Sequence, residues 1–425
     1  MTTAIIRGSV LRGRVRAPPS KSYTHRALLA GFLTGRPYHV HRPSTSEDTR
    51  ATREGLRNLG CAIELRRNGW TLHPPARGAP VPTETTIHCG ASGTTLRFLA
   101  ALAARAPSTT VFRGSLRLAH RPMEGLLEAL RHGGVTTGTP AGNRTLPLTI
   151  RGPLQPGKFV VDGAASSQFL SALLFVLPTL DGPSRVCITG PRVSRPYVAA
   201  TLAVLAAHGV RVSEAPDGWE IPGRQRFQGR QFFVTGDASS AAYLWVAAAL
   251  GAGQVTVSGL DPKWPQADLQ VLEVLRELGA RVRRHGRNIT VEGPVHGSFS
   301  AELSDAPDLY PLLGVLAALQ PGKTSELRGA PQARQKESDR RAGTLRLARA
   351  LGAQARSGVD AVTITGGPTP RRLELSGLND HRLFMSATVA ALSLGGTSRL
   401  RPAEAPGKSF PGFLATLRAL GGEVR

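Results

Sequence analysis

The chain has 425 residues, 41% of them hydrophobic, and a formal charge of +24 from 53 basic and 29 acidic side chains. That is enough apolar material for at least two packed domains. It excludes a disordered chain, and no run approaches the roughly 20 apolar residues of a membrane span or the apolar core of a secretory leader. The three cysteines, Cys61, Cys89 and Cys187, fit neither a disulfide framework nor a zinc site and read as buried thiols of a soluble, cytoplasmic protein.

Thr3–Ile6 reads as an opening strand. The run Pro18-Pro19-Ser20-Lys21-Ser22-Tyr23-Thr24-His25-Arg26 then leads into an apolar helix, Ala27-Leu28-Leu29-Ala30. A second helix is expected from Glu47-Asp48 to Gly60. The same two-helix layout then recurs. Helix-like Leu-rich runs stop at Gly60, Gly133, Gly209, Gly279, Gly352 and Gly421, spaced by 69 to 76 residues. A period of that length marks a repeated supersecondary unit.

The helices before these glycines are expected to start at Glu47-Asp48, Arg121-Pro122, Arg195-Pro196, Gln266-Ala267-Asp268, Lys336-Glu337-Ser338-Asp339 and Lys408-Ser409. An earlier helix in each repeat starts at Ser20-Lys21-Ser22, Ser92-Gly93-Thr94, Ser166-Ser167-Gln168, Ser239-Ser240, Pro307-Asp308 and Asp380-His381. Between them lie strand-like runs such as Thr86-Ile87-His88, Phe159-Val160-Val161, Gln231–Val234 and Ala361–Ile364. The pattern predicts an α/β protein of two domains with three repeats each. Residues 16-229 form one domain, 1-15 plus 230-425 form a discontinuous second, and Pro222–Gly229 is the linker.

Helix N-termini offer free N–H groups and a positive dipole end, so several converging on one cleft between the domains would suit a multiply anionic ligand. The cations carry a second message. Forty-seven are arginine and only six lysine: Lys21, Lys158, Lys263, Lys323, Lys336 and Lys408. A lysine kept in such a chain marks a place where a compact charge able to lose a proton is useful. Basic residues are scattered and aromatics are 5%, which argues for acidic small molecules over nucleic acid. The Asp and His residues lack metal-ligand spacing, so no metal is expected.

Several motifs stand in one order along the whole chain: Ser20-Lys21-Ser22 with Arg26, Gly93-Thr94 with Arg97, Arg121-Pro122, Ser166-Ser167-Gln168, Ser194-Arg195-Pro196-Tyr197, Gly236–Ser240, Pro307-Asp308, Lys336–Arg340, Asp380-His381-Arg382 and Lys408. In this the sequence resembles the 5-enolpyruvylshikimate-3-phosphate synthases. The resemblance implies two domains of three βαβαββ units, the inside-out α/β barrel of the enolpyruvyl transferases. It implies transfer of the enolpyruvyl group of phosphoenolpyruvate to the 5-hydroxyl of shikimate 3-phosphate, with release of phosphate. A monomer without cofactor, nucleic acid or membrane partner is expected.

By the same resemblance, Lys21, Ser22, Arg26, Ser166, Ser167, Gln168, Ser194, Tyr197, Asp308, Gln332 and Lys336 would hold shikimate 3-phosphate. Lys21, Gly93, Arg121, Gln168, Arg340, Arg382 and Lys408 would hold phosphoenolpyruvate. Asp308 is the expected base, and Glu337 and Lys21 are the candidate acids. The sequence departs from the family at Ala91, Gln332 and His25, each standing where Asn is usual. Gly93 matches the pattern of members sensitive to glyphosate, while Ala91 removes an amide near phosphoenolpyruvate. The UDP-N-acetylglucosamine enolpyruvyl transferases share fold and donor, but carry a reactive cysteine in the loop that here reads Phe112–His120 without one.

Overall fold

The structure, a computed structural model, describes residues 2–76, 84–142 and 144–425. The chain divides into a continuous unit, Pro19–Val234, and a discontinuous unit made of Met1–Pro18 and Thr235–Arg425. These boundaries fall a few residues beyond those expected from sequence. Gln231–Phe233 is the cause: it pairs in parallel with Tyr38–His41 and draws residues up to 234 into the continuous unit. Pro222–Gly229, expected as a linker, is packed instead. Phe227 is buried, and the Gln225 amide accepts from Arg211 N at 2.7 Å and donates to Arg211 O at 2.8 Å.

Among the described residues each unit contains three sheets. In the continuous unit the strand orders are Gln231–Phe233, Tyr38–His41, Gly69–His73, Ala62–Arg66; then Glu84–His88, Thr109–Arg113, Leu148–Arg151, Thr136–Gly138; then Lys158–Asp162, Ser184–Thr189, Gly218–Ile221, Ser213–Ala215. In every one the first pair is parallel and the rest antiparallel. A parallel pair needs a helical crossover, and an antiparallel pair only a tight turn. That rule yields the βαβαββ order seen from Glu84 to Arg151.

The discontinuous unit repeats the plan with Arg12–Arg16, Gln254–Ser258, Asn288–Glu292, Arg281–His285, and with Ser300–Glu302, Thr324–Arg328, Ala361–Thr365, Gln354–Ser357. Its third sheet, Glu374–Leu375, Thr397–Leu400, Ala4–Arg7, is extended by main-chain bonds from Ile5 and Arg7 to residues 423–425. Two strands are exchanged between the units. Arg12–Arg16 precedes the helix Lys21–Leu33 yet completes the sheet of Gln254–Ser258, while Gln231–Phe233 precedes the helix Ala238–Leu250 yet completes the sheet of Tyr38–His41.

The earlier helix of a repeat is apolar all round and buried, as in Ser167–Val176, Ala238–Leu250, Tyr310–Ala318 and His381–Leu392. The later one, as in Glu47–Asn58 and Glu124–His132, buries one stripe and leaves a charged face in water. Five of the six repeat glycines take left-handed conformations, with φ from +70° to +94°. In the second repeat that conformation falls on Gly134, at φ +84°. Gly133 is kept small by packing, since an added Cβ would come within 2.4 Å of Leu154 Cδ1.

Four later helices start further on than expected, at Glu124, Val271, Arg340 and Phe413. Short 3₁₀ turns at Ala267–Gln270, Pro331–Gln335 and Ala405–Lys408 come first, each of the last two with a proline in its opening positions. Lys336, Glu337 and Lys408 therefore stand ahead of helices, not within them.

Candidate active site

The discontinuous unit gathers a dense ionic cluster at its helix starts. Arg340 opens the helix Arg340–Ala350, and its side chain is 1% exposed. A guanidinium so placed must be fully compensated. Three carboxylates do so: Asp308 Oδ1 at 2.6 Å from Nη1, Glu337 Oε2 at 2.5 Å from Nη2 and Asp380 Oδ2 at 3.0 Å from Nε. Asp380 caps the helix His381–Leu392 and also accepts from Ser338 Oγ at 2.7 Å. The second oxygen of Asp308 accepts from Arg382 Nη2 at 2.7 Å, and that of Glu337 lies 3.8 Å from Lys408 Nζ.

Burial alone would raise the Asp308 pKa, but Arg382, Arg340 and Lys336 outweigh it and hold the carboxyl well below the usual range. The expected base is thus fully ionised, with its oxygens engaged by two arginines. His381 is buried, its Nδ1 3.8 Å from Asp380 Oδ1. Gln332 is buried on its turn and donates from Nε2 to Ser304 O at 2.8 Å.

Two further residues join this neighbourhood: Asp268, read from sequence only as part of a helix start, and Tyr243, which the sequence did not single out. Asp268, on the turn Ala267–Gln270, is buried. Burial, then the nearby charge of Asp308, pushes its carboxyl up to about 7, against the opposing pull of Arg382. Tyr243 is buried on the helix Ala238–Leu250, near the charges of Arg382, Arg340 and Asp308. A lone Asp after Gln-Ala, or one Tyr inside an apolar helix, gives no signal in sequence; only the fold brings them beside Asp308 and Arg382.

The continuous unit brings together the other expected residues. Lys21 Nζ pairs with Asp48 Oδ2 at 2.8 Å, so Asp48, likewise read only as a helix starter, holds the candidate acid. Gly93 lies against Arg121, where an added Cβ would come within 2.8 Å of the guanidinium. Gln168 links two helix starts by accepting from Arg97 Nη1 at 2.7 Å and donating to Thr94 Oγ1 at 3.0 Å. Ser20, Ser92 and Ser166 cap the helices Lys21–Leu33, Gly93–Ala103 and Ser167–Val176, with Ser22 and Ser167 in the first turns. Capped helix ends of this kind still offer first-turn N–H groups to an anion.

Arg26 is 3% exposed and tied inward, by Nε to Thr201 Oγ1 at 2.9 Å, Nη1 to Ser22 O at 3.0 Å and Nη2 to Tyr197 O at 2.7 Å. It fixes the segments of Ser22 and Tyr197 to each other. Ser194, just before Tyr197, sits in a left-handed conformation at φ +57°. The loop after Phe112 holds the short helix Leu116–Ala119 and no thiol. All three cysteines are buried and unbridged, and burial pushes Cys61 and Cys89 up to about 12, which makes neither a nucleophile at neutral pH. Among the described residues no group of three or more His, Cys, Asp or Glu is placed to hold a metal, and no helix is long and apolar enough to cross a membrane.

Comparison with known proteins gives one picture. The family EPSP synthase (3-phosphoshikimate 1-carboxyvinyltransferase) matches residues 5–417. A 3-phosphoshikimate 1-carboxyvinyltransferase from Methanocorpusculum labreanum is 38% identical over 426 residues, covering 99% of both chains. One from Methanothrix thermoacetophila is 38% identical over 427 residues, covering 100% of this chain and 99% of its own. A solved EPSP synthase from Acinetobacter baumannii superposes with a TM-score of 0.82 at 25% identity, over 100% of this chain and 99% of that one.

Two stability outcomes follow from the ionic cluster. Arg340→Met strands three carboxylates in a buried site and should cost about 3–5 kcal/mol in urea denaturation. Asp268 has a folded pKa above its unfolded value, so it binds its proton more tightly when folded. Its contribution is full at low pH and lost as pH rises from about 4 to about 7. Asp268→Asn should flatten that part of the Tm profile, and an unchanged slope would contradict the assignment.

Proposed function

The chain belongs to the EPSP synthase family, and from that premise we propose how its residues divide the transfer of the enolpyruvyl group from phosphoenolpyruvate to shikimate 3-phosphate. The reaction yields 5-enolpyruvylshikimate 3-phosphate and phosphate, a step of the shikimate pathway toward chorismate and the aromatic amino acids. Both substrates are anions. The sharing of Asp308 between Arg340 and Arg382 is the observation that supports this division of work most directly.

Phosphoenolpyruvate brings a carboxylate and a phosphate that bidentate arginines suit. With Arg121, Arg340, Arg382 and Lys408 turned toward it, Asp308 loses part of its cationic compensation. Its proton affinity rises, and it becomes able to accept the proton of the 5-hydroxyl. Glu337 or Lys21 delivers a proton to the methylene carbon, which becomes a methyl group as the hydroxyl oxygen bonds to the adjacent carbon. The tetrahedral intermediate then expels phosphate, and the methyl group gives back a proton to restore the double bond.

Shikimate 3-phosphate is assigned to the helix ends at Ser22, Ser166, Ser167, Gln168 and Ser194, with Tyr197, Gln332 and Lys336. Arg26 acts there by fixing Ser22 and Tyr197. The reaction is placed in a cleft that the two units close together over both substrates, in the cytoplasm and in a monomer.

Phosphate release only when both substrates are supplied is the test of the reaction, and folded protein silent under those conditions would refute it. Asp308→Ala should keep shikimate 3-phosphate binding and stay folded, since Glu337 and Asp380 still hold Arg340, but lose turnover by roughly 100-fold or more. Gly93→Ala should displace the Arg121 guanidinium, raising KM for phosphoenolpyruvate and weakening glyphosate inhibition in parallel. For closure, small-angle scattering should show a smaller radius with both substrates bound, and an unchanged radius would count against it.

A further inference from the structure

The three-stranded sheet of the discontinuous unit has an inner and an outer face. Ala4, Ile6, Ser398 and Leu400 point into the core, and Ile5, Arg7, Thr397 and Arg399 point out. Over that outer face lies an open cavity of about 1070 Å³. Six arginines line it: Arg7, Arg371, Arg372, Arg399, Arg418 and Arg425, against a single lining acidic side chain, Glu423.

Arginine is 47 of 425 residues in the chain but six of the twelve that form this cavity, so chain composition alone does not account for it. Local pairing leaves most of the charge in place. Arg372 and Arg399 share Glu374 just outside the wall, at 3.2 and 3.9 Å, and Arg7 reaches Glu423 only at 4.0 Å. Among the described residues no carboxylate within 4.0 Å of Arg371, Arg418 or Arg425 forms an ion pair with them.

Like charges gathered in a concave wall raise the local potential and favour an anion carrying several charges. Guanidinium forks match phosphate oxygens in pairs. No aromatic ring lines the cavity, so a stacked nucleobase has no platform, and its volume is that of a small-molecule pocket, not a groove that tracks a strand. We propose that this outer cavity is a second ligand site, separate from the residues assigned to the transfer reaction, for a compact oligophosphate of three or more linked phosphates. Free inorganic polyphosphate and the triphosphate of a nucleotide share that chemistry.

Calorimetric titration with tripolyphosphate, ATP and a 20-nucleotide single strand tests it. The proteins compared are wild type, R371E/R399E, the milder R371Q/R418Q, and K21A/K408A. The expected result is one tripolyphosphate per chain, with affinity falling as salt rises from 50 to 200 mM. Affinity should drop at least tenfold in R371E/R399E and several-fold in R371Q/R418Q, with phosphate release from the two substrates unchanged in both, and K21A/K408A should keep it. ATP binding about as tightly as tripolyphosphate fits either source of the triphosphate; binding more than tenfold tighter shows that the base is read and overturns the proposal. Undiminished binding in both outer-face variants, or loss in K21A/K408A instead, overturns it in favour of the reaction site. A strand that outcompetes tripolyphosphate overturns it in favour of nucleic acid.

Discussion

A guanidinium sealed from water must have its donors satisfied, and Arg340 meets that demand with carboxylates from three separate stretches of chain. Asp308 comes from a turn before one helix, Glu337 from the turn before Arg340's own helix, and Asp380 from the cap of a third. Two repeats of the discontinuous unit are thereby fixed to each other at their helix starts. Removing Arg340 itself would leave three buried carboxylates uncompensated, which is far costlier than losing a surface pair. Asp308 is the member shared with Arg382, so its ionised form is held by two arginines at once.

The continuous unit solves the same problem with few ions. His25 is buried, and burial pushes its pKa down to about 3, so it stays neutral and bonds through Nδ1 to Thr52 Oγ1 at 2.8 Å. Thr52 meets Thr95 at 2.7 Å, and Thr95 meets Ser92 at 2.8 Å. This run of hydroxyls joins the helices that carry Lys21, Asp48 and Gly93. The Asn usual at the position of His25 is thus replaced by a ring that still serves as a hydrogen-bonding partner at neutral pH. One half of the molecule positions its groups by charge compensation, the other by neutral hydrogen bonds beside the Lys21–Asp48 pair.

The repeat was legible because its signals are local: a glycine after a Leu-rich run, a Ser or Asp before one, β-branched residues between. Lys21, Lys336 and Lys408 stood out for an equally simple reason, their rarity among arginines. Partnerships were not legible. Nothing in a linear chain says that Asp48 will face Lys21, or that Asp268 will lie beside Asp308, because those contacts join helix starts from separate crossovers. A proline at a helix start did not by itself mislead, since the helix at Arg195-Pro196 begins where expected; near Lys408 a 3₁₀ turn accommodates Pro406 and the α-helix begins only at Phe413. Gln231–Val234 was legible as a strand, but its pairing with Tyr38–His41 was not, because that partner lies some 190 residues earlier and register at that range leaves no local trace.

The two N-terminal strands, Ala4–Arg7 and Arg12–Arg16, bear on how the protein is made. Arg12 finds its partner Gln254, and Ala4 its partner Leu400, only after hundreds of further residues have been translated. At about 5–20 residues per second, the N-terminal strands wait on the order of ten seconds to a minute beside the ribosome. For that interval they are unpaired edges, the kind of segment that recruits a neighbouring nascent chain. Arg12, Arg14 and Arg16 alternate along the waiting strand, and three like charges in five residues repel a second copy until the proper acceptor has emerged.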